Sequence, residues 1–117
     1  MEVAPVKPTI GLEDLEKVDV RVGTIRRVED VEGSQKLVAL VVSFGDRERT
    51  ILAGMKQERD DPREIEGRQA LFVVNLAPRK MAGRLSEGML FDIGYADGVQ
   101  PALAVPERAL PDGARAG

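Results

Sequence analysis

The chain has no cysteine, no histidine and no tryptophan among its 117 residues. Without cysteine there is no disulfide framework, no thiolate metal site and no cysteine nucleophile. Without histidine the commonest general base and the commonest metal ligand are also missing. Carboxylates can do acid–base work, but Asp60 with Asp61 reads as a helix cap and Glu13 with Asp14 as acids placed to suit a helix dipole. No phosphate-binding glycine loop, nucleophile elbow or metal-ligand spacing occurs. The sequence therefore predicts a non-enzyme with no cofactor. No apolar run approaches the ~20 residues a membrane helix needs, and the opening MEVAPVKPT lacks a basic region followed by an apolar one. A cytoplasmic protein with no membrane partner is expected.

What is present suits one folded domain. Hydrophobic residues make up 43% and charged residues 32%, and a chain of this length buries roughly two thirds of its unfolded surface. The net charge of -3 means that the molecule as a whole does not attract polyanions. Any nucleic acid must be held by a local cluster of Lys and Arg.

Residues 1–10, with Pro5 and Pro8, read as an extended N-terminal arm, and 11–117 as the domain. Leu12, Leu15 and Val18 share a face of a short N-terminal helix. Val18, Val20 and Val22 alternate with Asp19 and Arg21, as in a strand with one buried face, and Gly23 and Thr24 then interrupt the alternation where a bulge would fit. LVALVVSF, apolar at nearly every position, reads as a strand buried on both faces, and Arg47 to Ala53 returns from a turn at Gly45 and Asp46. Asp61, Pro62 and Glu64 mark a short helix start, with the glutamate reaching back to the cap. Pro101 to Val105 is a short edge strand, Pro111 to Gly113 a turn, and the tail a C-terminal β extension. Five principal strands with a helix between the third and fourth describe an all-β, five-stranded Greek-key barrel of the OB type. An SH3-like barrel or an open meander is the competing architecture.

The stretch from Gln69 to Ile93 organises the rest. Two apolar runs, Ala70 to Val74 and Met89 to Ile93, read as buried strands flanking a middle that carries Arg79, Lys80 and Arg84, with Pro78, Gly83 and Gly88 demanding unusual backbone angles. A cationic loop between buried strands is a common binding site, because the strands fix its geometry. An exposed hairpin with ordinary surface charge is the bland alternative. The other cations that stand out are Arg26 with Arg27, and Lys36 alone in its loop. Phe44, Phe72, Phe91 and Tyr95 are the only aromatics, and the three phenylalanines read as core. OB-type single-strand binders stack bases on exposed rings, so a reader of folded RNA shape is preferred. Ser86 and Met89 flank Glu87 and Gly88 where a strand begins. The serine hydroxyl can donate to a phosphate and the methionine can pack on a base, or the first can serve its own turn and the second the core.

VDVRVGTI, KL opening a strand, ILAG, and VVNLAPRKMAGRLSEGML, in that order, resemble the tRNA-binding-domain family over roughly Leu12 to Arg115. That family includes free-standing dimeric tRNA-binding proteins, the C-terminal appendage of some methionyl-tRNA synthetases and CsaA-type export chaperones. The resemblance implies a homodimeric OB barrel that binds the corner of tRNA by shape, with little preference among species. It implies tRNA contacts from Lys36, Arg79, Lys80, Ser86 and Met89, with Arg84 a weaker candidate and Asn75, Gly83 and Gly88 shaping the loop. This chain departs in reading EGSQ before KL, where the family reads NAD or NAE, and in placing Glu87 inside the site, where a carboxylate repels phosphate unless Arg79 or Lys80 neutralises it. It reads ILAGMK where the chaperone branch reads KQSSAQ. Capture of unfolded export precursors is the alternative reading, and docking to an aminoacyl-tRNA synthetase a third.

Overall fold

The computed structural model describes residues 1–117 as nine strands with very little helix. Strands β1 (Val20–Asp30), β2 (Val38–Ser43) and β3 (Glu48–Ala53) form an antiparallel meander. Strand β4 (Gln69–Val73) returns to pair with the first half of β1. Hairpin strands β5 (Arg79–Met81) and β6 (Arg84–Ser86) come next, and β7 (Met89–Leu90) pairs with β4. Two short strands, β8 (Asp92–Ile93) and β9 (Ala102–Leu103), pair with each other. The main sheet has the order β3-β2-β1-β4-β7 and curls until its edges meet. There the Glu87 N–H donates to the Thr50 carbonyl at 2.8 Å and the Leu52 N–H to Ser86 Oγ at 3.0 Å. These bonds occupy an edge that would otherwise offer itself to another chain. The resulting circuit, β1-β2-β3-β7-β4-β1, is the OB-type barrel expected from the sequence.

Every residue of β2 is buried, which explains its unbroken apolar run. Val38, Leu40 and Val42 point into the main core with Ile25, Ile51, Phe72 and Leu90, while Ala39 points to the other face and joins Val31 and Leu52. Phe44 meets Phe72 edge to face, with centroids 5.6 Å apart, an arrangement worth about 0.5–1.5 kcal/mol beyond its buried area.

β1 serves two neighbours because it bends. Its register slips between Ile25 and Arg27, so the bulge lies at Arg26 and not at Gly23 and Thr24 as expected. Gly23 has a different reason to be glycine. A Cβ there would stand 2.5 Å from Val42 Cγ1 and 2.8 Å from Phe44 Cε1, inside the core. The tail lies along the free edge of β1, with Gly113 and Ala116 donating to the carbonyls of Val22 and Val20. That is the expected C-terminal β extension, reduced to an isolated bridge between Arg21 and Arg115.

Three further expectations are met in part. The helix between β3 and β4 is one 3-10 turn at Pro62–Ile65; Asp61 caps it by accepting the Arg63 N–H at 3.1 Å, but Glu64 pairs with Arg59 at 2.8 Å instead of reaching back. The N-terminal helix spans only Leu12–Leu15, and Leu12, Leu15 and Val18 are all exposed. The run Met89 to Ile93 is not one buried strand, because Leu90 alone is buried and Phe91 is 44% exposed.

Beside β8, the loop after β3 carries a carboxyl with raised proton affinity. Burial pushes the Glu58 carboxyl up, the Asp92 charge adds to this and Arg59 opposes it. An acid raised in the folded state adds stability below its unfolded pKa, and that contribution is lost as pH rises through the folded value. Glu58→Gln is therefore expected to raise stability at pH 7 by about 0.5 kcal/mol, a small amount because the site is partly open to water. The gain should vanish in urea unfolding carried out below the ordinary glutamate pKa.

Candidate nucleic-acid interface

The cationic stretch folds as a tight hairpin. Met81 opposes Arg84, leaving Ala82 and Gly83 as the two turn residues with φ of 50° and 78°. Positive φ at both positions is what a type I′ turn needs, so the right-handed twist of the ribbon sets the demand that Gly83 meets. Alternation then separates the two cations. Lys80 and Leu85 share one side of the ribbon, while Arg79 shares the other with Ser86. Both cations are exposed and neither is tied to a carboxylate.

Ser86 is turned inward, the alternative in which its hydroxyl serves its own turn. It is 4% exposed, accepts from the Leu52 N–H and donates to the Gly88 carbonyl at 3.1 Å, so it seals the barrel instead of presenting itself to a ligand. Glu87 is also drawn to β3, its carboxylate accepting the Thr50 N–H at 3.3 Å and its carbonyl facing the Arg49 guanidinium at 3.4 Å. The carboxylate is answered by the Thr50 main-chain amide and is in ion-pair contact with neither Arg79 nor Lys80. Asn75 receives the Asp19 N–H at 2.9 Å and donates to the Lys17 carbonyl at 2.6 Å, pinning the start of the loop to the segment before β1.

Lys36 sits in the β1–β2 connection, exposed, with its main-chain oxygen accepting from the Lys56 amide at 3.0 Å. Ser34, in the EGSQ departure, shapes this loop by accepting the amides of Lys36 and Leu37. Lys56 braces it further, donating to the carbonyls of Val31 at 3.1 Å and Ser34 at 2.6 Å while its ammonium meets Asp30 at 2.6 Å. That brace is invisible in the sequence, where Lys56 is one more charge in a polar segment.

The loop and the hairpin meet. Leu37, next to Lys36, and Met81, next to Lys80, both pack on the small cluster of Val31, Ala39 and Leu52. Arg84 reaches β1, where Glu29 lies 3.5 Å from it and 3.4 Å from Arg27. Glu29 thus partly neutralises Arg84 and draws Arg27, left outside the predicted site, to its margin. Met89 lies on β7. In register it stands beside Val73, which stands beside Val20, on the outer face of the β1–β4–β7 sheet, and it is 48% exposed.

A five-stranded OB barrel whose β1–β2 loop lies against a hairpin inserted between its last two strands defines a class, the barrels that bind oligonucleotides and oligosaccharides through those connections. Residues 20–115 match the family described as "Putative tRNA binding domain", and the chain belongs to that family. It is 40% identical over 113 residues, 97% of its length, to the methionine–tRNA ligase of Nitrosomonas europaea, and spans 16% of that ligase. Among solved structures it is similar to a MetRS-related protein from Pyrococcus horikoshii, with TM-score 0.86 and 34% identity over 95% of this chain and all of that one. It is also similar to the chaperone CsaA from Bacillus anthracis, with TM-score 0.78 and 26% identity over 94% of this chain and all of that one. No helix is long and apolar enough to cross a membrane.

Proposed function

We propose that this chain is a non-catalytic homodimeric module that holds tRNA by shape and phosphate contacts, with little sequence specificity, through Lys36, Arg79 and Lys80 with Arg84 at the edge. The supporting observation is the shared Val31–Ala39–Leu52 cluster, which seats the Lys36 loop and the hairpin side by side. Phe91 and Tyr95 are the two exposed rings, too few for a stacking platform, which fits RNA read by backbone and shape. The homodimer is supported by apolar side chains that a monomer leaves in water: Met89 and Phe91 on one sheet face, and Leu12, Leu15 and Val18 before it. In this reading Ser86 and Gly88 build the site without touching RNA. Met89 serves the subunit seam or the RNA it borders.

The same exposed apolar surface, with the CsaA likeness, supports the second reading, a chaperone for unfolded export precursors. Salt separates the two. Affinity for tRNA held by about three phosphate contacts should fall at least tenfold between about 50 and about 200 mM salt. Capture of an apolar peptide should hold or strengthen. A tRNA affinity that ignores salt removes the cationic trough.

A further inference from the structure

The mouth of the barrel, at the end of β3 away from the Lys36 loop, holds a groove of about 230 Å³ whose lining includes Arg21, Arg47, Arg49, Asn75 and Phe44 together with the acids Asp19 and Asp46. Arg49 lies 6.0 Å above the Phe44 ring, and Arg21 opposes Phe72 in register on the neighbouring side of the groove. Their charges are unequally answered. Asp19 grips Arg21 through two hydrogen bonds of 2.7 and 3.0 Å, and the bond from Arg21 holds the Asp19 carboxyl below its ordinary range. Arg49 is half-buried and has no carboxylate within 4 Å; it donates only from Nη1, to the carbonyls of Val74 and Glu87. Its Nε and Nη2 donors are left without a protein acceptor. Arg47 meets only Asp46, at 4.0 Å and in open solvent.

A half-buried guanidinium with two unbonded donors and no carboxylate in contact, facing a concavity, can take an oxyanion, although Asp19, which shares the groove and feels the Arg49 charge, competes for it at longer range. Arginine forks match phosphate oxygens in geometry, and Arg47, held only loosely by Asp46 in open solvent, supplies the other side of a clamp. Asn75, held by Asp19 and Lys17, and Phe44 complete the lining. The concavity is too small and too polar for an apolar peptide.

We infer that this groove is a phosphate-binding subsite, clamped by Arg49 and Arg47, that takes a second stretch of the RNA backbone bound by the hairpin. From Arg49 to Ala53, beside the Lys36 loop, is about 13 Å along β3, so one folded RNA contacting both runs along the barrel. The inference rests on the tRNA reading for the source of the phosphate. It does not rest on it for the chemistry of the groove.

Two measurements keep these apart. Inorganic phosphate titrated into the free protein should shift the side-chain Nε resonances of Arg47 and Arg49 saturably, whereas sodium chloride of equal ionic strength should not. Absence of that difference overturns the subsite, whatever RNA does. In parallel, Arg47→Glu, an exposed change that leaves the barrel intact, should lower tRNA affinity about fivefold and reduce the salt slope by about 1. An unchanged affinity and slope, with the phosphate shifts intact, overturns the assignment to RNA. Failure of wild-type protein to bind tRNA would instead sink the parent reading, leaving the phosphate titration to decide the groove.

Discussion

Arg79→Ala combined with Lys80→Ala is expected to weaken tRNA binding at low salt by at least tenfold, about 1.4 kcal/mol, while urea unfolding stays near that of the wild type. Both side chains are exposed and free of ion pairs, so truncation removes charge without leaving a buried partner unsatisfied. Lys80 and Arg79 lie on opposite sides of the ribbon, so the loss should be uneven between the single variants. The larger effect belongs to whichever side the RNA covers. Arg84→Ala should cost less than either, because Glu29 already answers part of its charge. The hairpin itself persists, held by its type I′ turn, by Met81 on the Val31 cluster and by Ser86 on β3. Unaltered tRNA affinity in the folded double variant, measured by gel shift, would contradict the trough.

The sequence made the strands legible because burial writes itself as period. The fully buried β2 reads as an unbroken apolar run, and the β2–β3 hairpin is announced by Gly45 and Asp46. The cations at 79, 80 and 36 were legible as a pattern, but the meeting of the loop and the hairpin that carry them was not, since it depends on Leu37 and Met81 sharing a cluster with residues from three other segments. Ser86 stayed ambiguous for a related reason. A serine beside a glycine looks the same whether its hydroxyl faces solvent or replaces a missing rung between β3 and β6, and only the barrel's closure decides. Phe91 was placed in the core by residue type, yet the chain switches pairing from β4 to β9 around it and turns it outward. The groove at the barrel mouth was illegible for the same cause: Arg21, Arg47 and Arg49 look like ordinary outward members of alternating strands until the mouth gathers them.

Gly88→Ala is expected to destabilise the protein by about 3 kcal/mol, as the sum of a strained backbone angle and an overfilled contact. Gly88 holds φ at 151°, and a Cβ there would lie 2.8 Å from the Val73 carbonyl oxygen and 3.1 Å from Ile51 Cδ1. The first of these is backbone in the β4–β7 ladder and cannot swing aside, unlike a flexible side-chain tip. Relief therefore requires the 86–88 segment to lift from β3, breaking the bonds from Leu52 to Ser86 and from Glu87 to Thr50 together. Faster amide exchange at Leu52 should accompany the loss in urea stability. Gly33→Ala supplies the control, since Gly33 also has positive φ, 83°, but nothing lies within 4 Å of its would-be Cβ. Its cost should be the conformational part alone, about 1 kcal/mol, with Leu52 exchange unmoved. Equal costs for the two variants would mean that the barrel does not close through the narrow passage at Gly88, and that the hairpin carrying Arg79 and Lys80 is positioned by something else.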